Sequence, residues 1–164
     1  MTGIYLALGS NVGDSKTNIA RTITLLGTGV KQIEQAPLYA SKAVGYTDQP
    51  DFLNTAVSGQ TDLEPAALLD FLKDIERQIG RSPGFKWGPR EIDIDIIFYG
   101  DKVMHTGKLI IPHPHFRERD FVLQPLYDIN PSLVDPVTGQ TIQKLLAKMA
   151  AGQKSLIRQV DEKL

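Results

Sequence analysis

Two carboxylates stand two residues apart in the segment 91–99, which reads EIDIDIIFY. Side chains two apart in a strand project from the same face, so Asp93 and Asp95 are expected side by side. Two unit charges ~6 Å apart repel by roughly 3 kcal/mol at an effective dielectric of about 20. Magnesium would relieve this repulsion, because it usually binds a few carboxylates together with substrate phosphates. The pair predicts metal-assisted phosphate chemistry, and a solvated acidic strand face is the alternative.

The residues that follow favour a cleft over open solvent. On a regular strand, Ile97 and Tyr99 share the face of Asp93 and Asp95, so that face turns apolar directly after the carboxylates. Two metal ions held there could clamp the attacking and leaving oxygens of a phosphoryl transfer.

Basic side chains flank the acidic strand on both sides in sequence. Phosphoryl transfer depends on positioning and on neutralising charge that spreads over the phosphate, which suits a group of cations near a metal site. For any single residue, scattered solvated charge is the alternative, and a cation just past a helix C-terminus also favours the helix dipole. The residues are Arg81, Lys86, Arg90, Lys108, His113, Arg117 and Arg119.

An aromatic ring and an amide are predicted next to each other on the strand at 52–61. Leu53, Thr55 and Val57 form its more apolar face, which leaves Phe52 and Asn54 on the other side. A ring that stacks and an amide that both donates and accepts would suit a flat heterocycle. A face covered by a helix is an equally good interpretation of the same pattern.

The composition sets broad limits. The 164 residues, 41% of them apolar, suit one domain spanning 1–164. A net charge of −1 argues against a nucleic-acid binder, and the absence of cysteine leaves carboxylates and histidine as metal ligands. With no apolar run of membrane-spanning length and no signal-like N-terminus, a cytoplasmic location is expected. Segment 9–13, GSNVG, is interpreted as a tight turn, because it lacks the pattern of a Walker loop.

The predicted elements place these residues on an α+β fold. Strands are expected at 4–8, 30–40, 52–61 and 91–99, and helices at about 15–26 and 65–79. This strand-helix-strand-strand-helix-strand order is typical of a ferredoxin-like sheet with helices on one face. A hairpin at 101–111 and C-terminal helices near 117–127 and 142–149 would be additions to it.

Six motifs, in order along nearly the whole chain, match one known family. They are LGSN at 8–11, QPDFLN at 49–54, IE at 75–76 with GR at 80–81, WGPREIDID at 87–95, IPHPH at 111–115 and RDFVLQPL at 119–126. On these residues the chain resembles the 6-hydroxymethyl-7,8-dihydropterin pyrophosphokinases of folate biosynthesis. The resemblance implies a ferredoxin-like fold, and transfer of the terminal pyrophosphoryl unit of ATP to the pterin hydroxymethyl group with release of AMP.

The resemblance also implies roles for single residues. Asp93 and Asp95 would hold two Mg²⁺ ions, with Arg81 and Arg90 the other catalytic residues. Phe52 and Phe121 would enclose the pterin ring, and Asn54, Ser41 and Val44 would complete its pocket. ATP would be bound by Leu69, Lys73, Glu76, Arg81, Trp87, Arg90, Ile96, Lys108, His113 and Arg119. The loops 42–51 and 81–90 would close over the substrates, which are small molecules, and the protein would act as a monomer.

One departure from the family pattern keeps other functions open. Pro83 stands where many members carry a second arginine. A degenerate, non-catalytic pterin- or nucleotide-binding protein is therefore one alternative. A metal phosphohydrolase that turns over ATP without a pterin is another.

Overall fold

The computed structural model describes residues 1–81, 84, 87–149 and 154–160. Within them the chain forms β1 (Thr2–Ser10), α1 (Ser15–Leu26), β2 (Lys31–Gln35), β3 (Leu38–Ser41), β4 (Phe52–Thr61), α2 (Pro65–Ile79) and β5 (Asp93–Tyr99). The hairpin strands β6 (Met104–His105) and β7 (Ile110–Ile111) follow, then a 3₁₀ turn (Phe116–Glu118), α3 (Asp120–Ile129), α4 (Ile142–Ala147) and β8 (Leu156–Val160).

One antiparallel sheet organises the chain. Its strands run in the order β5-β1-β4-β3-β8, and β2 also pairs with β4. β1 is central, because it pairs with β4 along Thr2 to Ser10 and with β5 on its other side. The mixed α+β class predicted from the sequence is confirmed, and the more specific ferredoxin-like arrangement stays a prediction.

The helices cover both faces of this sheet, which divides the core in two. Leu6 and Leu8 of β1 pack with Leu72 and Ile75 of α2 on one face, together with residues of α1. On the other face a second cluster contains Ala7, Ala56 and Phe98 of the sheet and, from the C-terminal helices, Leu123, Leu126, Ile142 and Leu145. The C-terminal helices therefore bury the face that α1 and α2 leave uncovered.

Local signals set the helix ends where the sequence predicts them. The Asp14 side chain accepts a hydrogen bond from the backbone N–H of Thr17 and caps α1. Pro65 occupies the first turn of α2, and Gly80 ends that helix in the left-handed conformation, with φ of 107°.

Several elements differ from the prediction. The strand expected at 30–40 is two strands, because Pro37 has no N–H for a sheet ladder and interrupts it. The strand expected from 91 begins at Asp93, and the helix expected at 117–127 begins at Asp120 after the 3₁₀ turn. Strand β8 was not predicted. It forms by pairing with the edge of β3, a partner more than 100 residues away that local patterning does not reveal.

A β-bulge in β5 corrects the predicted alternation. Tyr5 pairs with Phe98, but the next residue, Leu6, pairs with Ile96, so β5 contains one extra residue at this point. Ile97 keeps the face expected for it and packs beneath α3 and α4. The prediction for Tyr99 is wrong, since after the bulge Tyr99 joins the core on the α1 and α2 face.

None of the described helices combines the length and the apolar character that a membrane span requires.

Replacing Gly59 with alanine should destabilise the sheet. A Cβ at Gly59 would lie 2.4 Å from Val30 Cγ1 and 3.0 Å from the carbonyl oxygen of Lys31. We expect Gly59→Ala to lower the free energy of unfolding by about 1–3 kcal/mol through overpacking, measured by urea denaturation. In the control Gly107→Ala the Cβ meets no heavy atom within 4 Å. Equal stability of the two variants would contradict this close packing.

Candidate active site

The carboxylates of β5 face a cleft at one end of the sheet. Its wall is built from β1, the adjoining ends of β3 and β4, the start of α3 and the segment 87–90, and it has a volume of about 730 Å³ including its solvent-open mouth. The lining side chains and backbone belong to Ala7, Leu8, Gly9, Ser41, Lys42, Val44, Phe52, Asn54, Trp87, Gly88, Arg90, Asp93, Asp95, Arg119, Phe121 and Val122.

Asp93 and Asp95 lie on the same face of β5, as the sequence predicts. Across the ladder they oppose Gly9 and Ala7 of β1, two small residues that leave space above both carboxylates. Their side chains are 38% and 31% exposed. Burial, followed by the neighbouring charge of Asp93, raises the pKa of Asp95 well above its ordinary value. Two ionised carboxylates are therefore unfavourable at this site, and a bound cation would stabilise both charges.

The buried carboxylate of Glu76 places an arginine beside Asp93. Glu76 is 3% exposed, and its Oε2 accepts a hydrogen bond of 2.9 Å from the backbone N–H of Ile94. The same oxygen lies 2.7 Å from Arg81 Nη1, and this nitrogen is also 3.1 Å from Asp93 Oδ1. Lys73 Nζ lies 3.5 Å from Glu76 Oε1. Glu76 thereby links α2 to the start of strand β5.

His113 lies on the other side of the pair, 3.8 Å from Asp95 Oδ2 through its Nε2. Burial, then the charges of Arg119 and His115, lower the pKa of His113 to about 4, so the ring is neutral at pH 7. Its Nδ1 accepts a hydrogen bond from the backbone N–H of His115. The ring proton is therefore assigned to Nε2, the nitrogen that points at Asp95.

The aromatic and amide residues line the same cleft, beyond the carboxylates. Asn54 is 5% exposed, and its Nδ2 donates to Ser41 Oγ at 2.7 Å. Its Oδ1 lies beside Gly9, where a Cβ would approach it to 3.2 Å. Phe52 and Phe121 both line the cleft, which confirms that the Phe52 and Asn54 face is not simply covered by a helix.

A second amide, on Asn11, joins the two loops at the mouth of the cleft. Asn11 Nδ2 donates to Gln49 Oε1 and to the carbonyl oxygen of Pro50, each at 2.9 Å. Its Oδ1 accepts from the backbone N–H of Arg90 at 2.8 Å. The turn predicted at 9–13 is confirmed only after Ser10, because Gly9 and Ser10 still belong to β1. The buried Asn11 side chain, directly after the strand, bonds to both loops.

The two loops also touch each other directly. Gln49 Nε2 donates to the carbonyl oxygen of Trp87 at 2.7 Å. The Trp87 indole lies on the backbone of Gly45, where a Cβ would stand 2.2 Å from Trp87 Cε3. Gly45 has φ of 84°, so glycine is suited to this position both by conformation and by space.

The structure brings most of the predicted site residues together. Ser41, Val44, Phe52, Asn54, Phe121, Trp87, Arg90, Asp93, Asp95 and Arg119 line the cleft, and Arg81, Glu76, Lys73 and His113 connect to its carboxylates. Three predicted ATP contacts neither line the cleft nor belong to the group connected to its carboxylates. Ile96 is buried in the core, Leu69 packs against that core, and Lys108 is exposed in the β6–β7 turn. Pro83 and Lys86 lie outside the described residues.

Two contributors were missed by reasoning from the sequence. Gly9 was assigned only to a turn, although its pairing with Asn54 on β4 and Asp93 on β5 marks it as the spacer between them. The role of Asn11 depends on contacts with residues 38 and 79 positions away, which no local pattern encodes.

Among the described residues, no group of three or more histidine, aspartate or glutamate side chains could hold a metal ion. Two carboxylates with cations around them instead fit a metal that takes its remaining ligands from a bound phosphate. With an aromatic slot alongside, the arrangement is that of a phosphoryl-transfer enzyme with a flat second substrate.

Comparison with known proteins identifies the family. Residues 5–131 match the family model described as 7,8-dihydro-6-hydroxymethylpterin-pyrophosphokinase. The chain is 43% identical, over 84% of its length and 86% of the relative's, to 2-amino-4-hydroxy-6-hydroxymethyldihydropteridine pyrophosphokinase of Aquifex aeolicus. It is 40% identical, over 91% and 94% of the two lengths, to the protein of that name from Methylorubrum extorquens. The chain belongs to the 7,8-dihydro-6-hydroxymethylpterin-pyrophosphokinase family, and it is a pyrophosphokinase of folate biosynthesis that uses ATP as co-substrate.

Longer proteins contain a similar unit. The folic acid synthesis protein fol1 of Pneumocystis carinii is 44% identical over 89% of this chain, which spans 20% of that protein. The fold resembles the solved Plasmodium falciparum HPPK-DHPS with pterin and p-hydroxybenzoate, with a TM-score of 0.72 and 18% identity over 90% of this chain and 41% of that one.

Replacing Asn11 with aspartate should release both loops. The new oxygen would face the Pro50 carbonyl oxygen, which cannot donate, and Gln49 could compensate only by leaving Trp87. We expect Asn11→Asp to lower the free energy of unfolding by about 1–3 kcal/mol, and to speed amide hydrogen exchange in segment 42–51.

The matched control is Asn130→Asp. Asn130 Nδ2 donates to the hydroxyl of Tyr5, which can rotate to donate in return. If both variants exchange their 42–51 amides at the wild-type rate, Asn11 does not hold that loop.

Proposed function

We propose that this chain transfers the terminal pyrophosphoryl group of ATP to 6-hydroxymethyl-7,8-dihydropterin and releases AMP, with two Mg²⁺ ions held at Asp93 and Asp95. The observation that carries the proposal is the cleft-facing carboxylate pair, with Arg81 on one side, His113 on the other and an aromatic slot alongside.

The donor set fits magnesium. Both groups offer hard carboxylate oxygens, and small residues opposite them leave room for phosphate ligands. When bound, Mg²⁺ would neutralise charge on the phosphates and lower the pKa of the attacking pterin hydroxyl. The tendency of Asp95 to hold a proton in the bare protein supports a site completed by cations.

The cations of the cleft would bind the triphosphate. Arg81 is held beside Asp93 by Glu76, so it is oriented before any substrate arrives. Arg90 and Arg119 line the cleft and would neutralise charge that develops as the bond to the leaving phosphate breaks. His113, neutral and with its proton on Nε2, would donate a hydrogen bond rather than a full charge. Leu69, Lys73, Trp87, Ile96 and Lys108 remain predicted ATP contacts.

The aromatic slot would take the pterin. Phe52 and Phe121 offer ring faces for stacking. Because Asn54 commits its Nδ2 to Ser41, its Oδ1 is the atom offered to a ring N–H. Ser41 and Val44 would complete the wall. A pterin bound in this slot would direct its hydroxymethyl group along the cleft toward Asp93 and Asp95.

We further propose that residues 1–164 form one pyrophosphokinase domain that acts as a cytoplasmic monomer. The support is that a single chain supplies every lining residue of the cleft that the structure describes, from β1, β3, β4, β5, the start of α3 and the segments 42–44 and 87–90.

The direct test is product analysis of the purified protein with ATP, Mg²⁺ and the pterin. We expect AMP and the pterin pyrophosphate in equal amounts, and no nucleotide turnover without the pterin. ADP as the product would contradict pyrophosphoryl transfer, and ATP turnover without pterin would favour the phosphohydrolase. Binding of both substrates without AMP would favour a non-catalytic protein.

Removing one charge of the pair should abolish turnover while sparing the fold. We expect Asp95→Asn to reduce kcat by at least about 100-fold, because charge that stabilises the transition state through the metal is lost. Thermal stability should be retained, since asparagine is close in shape to a carboxyl group whose raised pKa already favours the neutral form. The control is Asp101→Asn, an exposed site just beyond the same strand. Near-normal kcat in Asp95→Asn would count against the metal-holding role.

A further inference from the structure

A third buried carboxylate, on Asp120, lies directly between two cleft residues, Arg119 and Phe121. Asp120 is 2% exposed at the start of α3. Glu76 shares its partner Arg81 with Asp93, whereas Asp120 shares no partner with the cleft carboxylates among the described contacts. The hydrogen bonds that the described residues make to its side chain come from the segment just before β8 and from the start of β8.

The donors converge from two adjacent residues. The backbone N–H of Ser155 donates to Oδ1 at 3.1 Å and to Oδ2 at 3.0 Å, and the Ser155 hydroxyl donates to Oδ1 at 3.1 Å. The backbone N–H of Leu156 donates to Oδ2 at 2.9 Å. Only an acceptor with two oxygens satisfies this set, so a carboxylate suits the position and an amide does not.

Ser155 and Leu156 continue the connection to the opposite wall of the cleft. The carbonyl oxygen of Ser155 accepts from the backbone N–H of Lys42 at 2.9 Å, and Leu156 pairs with Ser41 in the ladder between β3 and β8. Ser41 in turn pairs with Phe52 across β4. One carboxylate therefore links the residue before Phe121 to the strand end that carries Ser41.

We propose that Asp120 is a positioning residue for the pterin half of the cleft. Through Ser155 and Leu156 it fixes the separation between Phe121 on α3 and the Ser41 and Phe52 wall on β3 and β4. The C-terminal segment acts as the spacer that sets the width of the slot for a flat ring. This inference rests on the proposed function, because it assumes that the slot takes the pterin.

The proposed role of Asp120 predicts unequal effects on the binding of the two substrates. Two of the proposed triphosphate contacts, Arg81 and His113, are held by Glu76 and by the His115 backbone, neither of which involves β8. Arg119 adjoins Asp120, but it is one of several cations proposed to bind the triphosphate, whereas Phe121, Ser41 and Phe52 make up most of the proposed pterin slot. Loosening the Asp120 contact should therefore weaken pterin binding far more than ATP binding. A purely structural carboxylate would lower stability and leave the two substrates equally affected.

The test compares Asp120→Asn with Asp135→Asn in the full-length protein. Asp135 is a matched control, because it is fully buried and bonded to Arg117 Nε at 2.6 Å and to Thr138, yet does not line the cleft. KM and Kd are measured separately for the pterin and for ATP or a non-hydrolysable analogue. Kd can be followed by the fluorescence of Trp87, the single tryptophan of the sequence, which lines the cleft.

We expect Asp120→Asn to raise KM and Kd for the pterin by about 10-fold or more, with less than about a 3-fold change for ATP. Asp135→Asn should lower the melting temperature without changing either KM. A pterin KM within about 2-fold of wild type in a folded Asp120→Asn protein overturns the proposal, and so does an equal rise for both substrates.

A milder pair of variants decides the question if Asp120→Asn does not fold. Ser155→Ala removes only the hydroxyl donor and should give a smaller, pterin-selective rise in KM, while Ser155→Thr keeps the hydroxyl and should restore the wild-type value. Equal pterin affinity in the Ala and Thr variants overturns the role.

Wild-type assays separate the two proposals. A wild-type protein that binds the pterin but releases no AMP overturns the proposed function, and the pterin Kd of the variants then decides the role of Asp120. A wild type that binds no pterin overturns both.

Discussion

The repulsion between Asp93 and Asp95 is the constraint on which the surrounding structure depends. Two carboxylates on one face of a strand would repel by roughly 3 kcal/mol at ~6 Å and an effective dielectric of about 20. The protein lessens this cost without removing it. Arg81 is placed against Asp93, and the charges of Arg119 and Lys73 act to lower the pKa of Asp95, yet burial and Asp93 still raise it. The remaining imbalance favours a cation in the cleft.

The sheet gives this pair its position and its surroundings. β5 lies at the edge of the main path of strands, beside central β1, so its carboxylates face the small residues Gly9 and Ala7. The bulge after Ile96 then turns the strand. Ile97 and Phe98 both pack under α3 and α4, while Tyr99 crosses to the other core, where its hydroxyl donates to the carbonyl oxygen of Leu63. A bulge beside the carboxylates thus separates the open end of this face from its buried end.

How far the sequence predicts this arrangement depends on the range of the interaction. Alternation within a strand places Asp93 with Asp95 and Phe52 with Asn54, and the structure confirms both pairs at the cleft. Alternation fails for Tyr99, because a bulge depends on the register with β1. It also fails for β8, whose five residues become a strand only beside the edge of β3. The family motifs supply further residues of the cleft, but they do not show what Asn11 bonds to, since its partners come from two distant loops.

Five acidic residues of the described structure, in or next to the cleft or buried beneath the surface, fall into two kinds. Glu76, Asp120 and Asp135 are buried, and each carboxylate receives several donors from other elements. Burying a charge is costly unless it is paired or hydrogen-bonded, so such groups persist where they fix the position of a neighbour. Asp93 and Asp95 are the opposite case, because they keep about a third of their surface exposed and face the cleft. Glu76 fixes Arg81 beside Asp93 at one end of the cleft, and Asp120 connects the α3 wall to the β3 wall at the other end. Under the proposed function, Asp93 and Asp95 lie between two fixed supports, which is the arrangement needed where two substrates must meet at a defined distance.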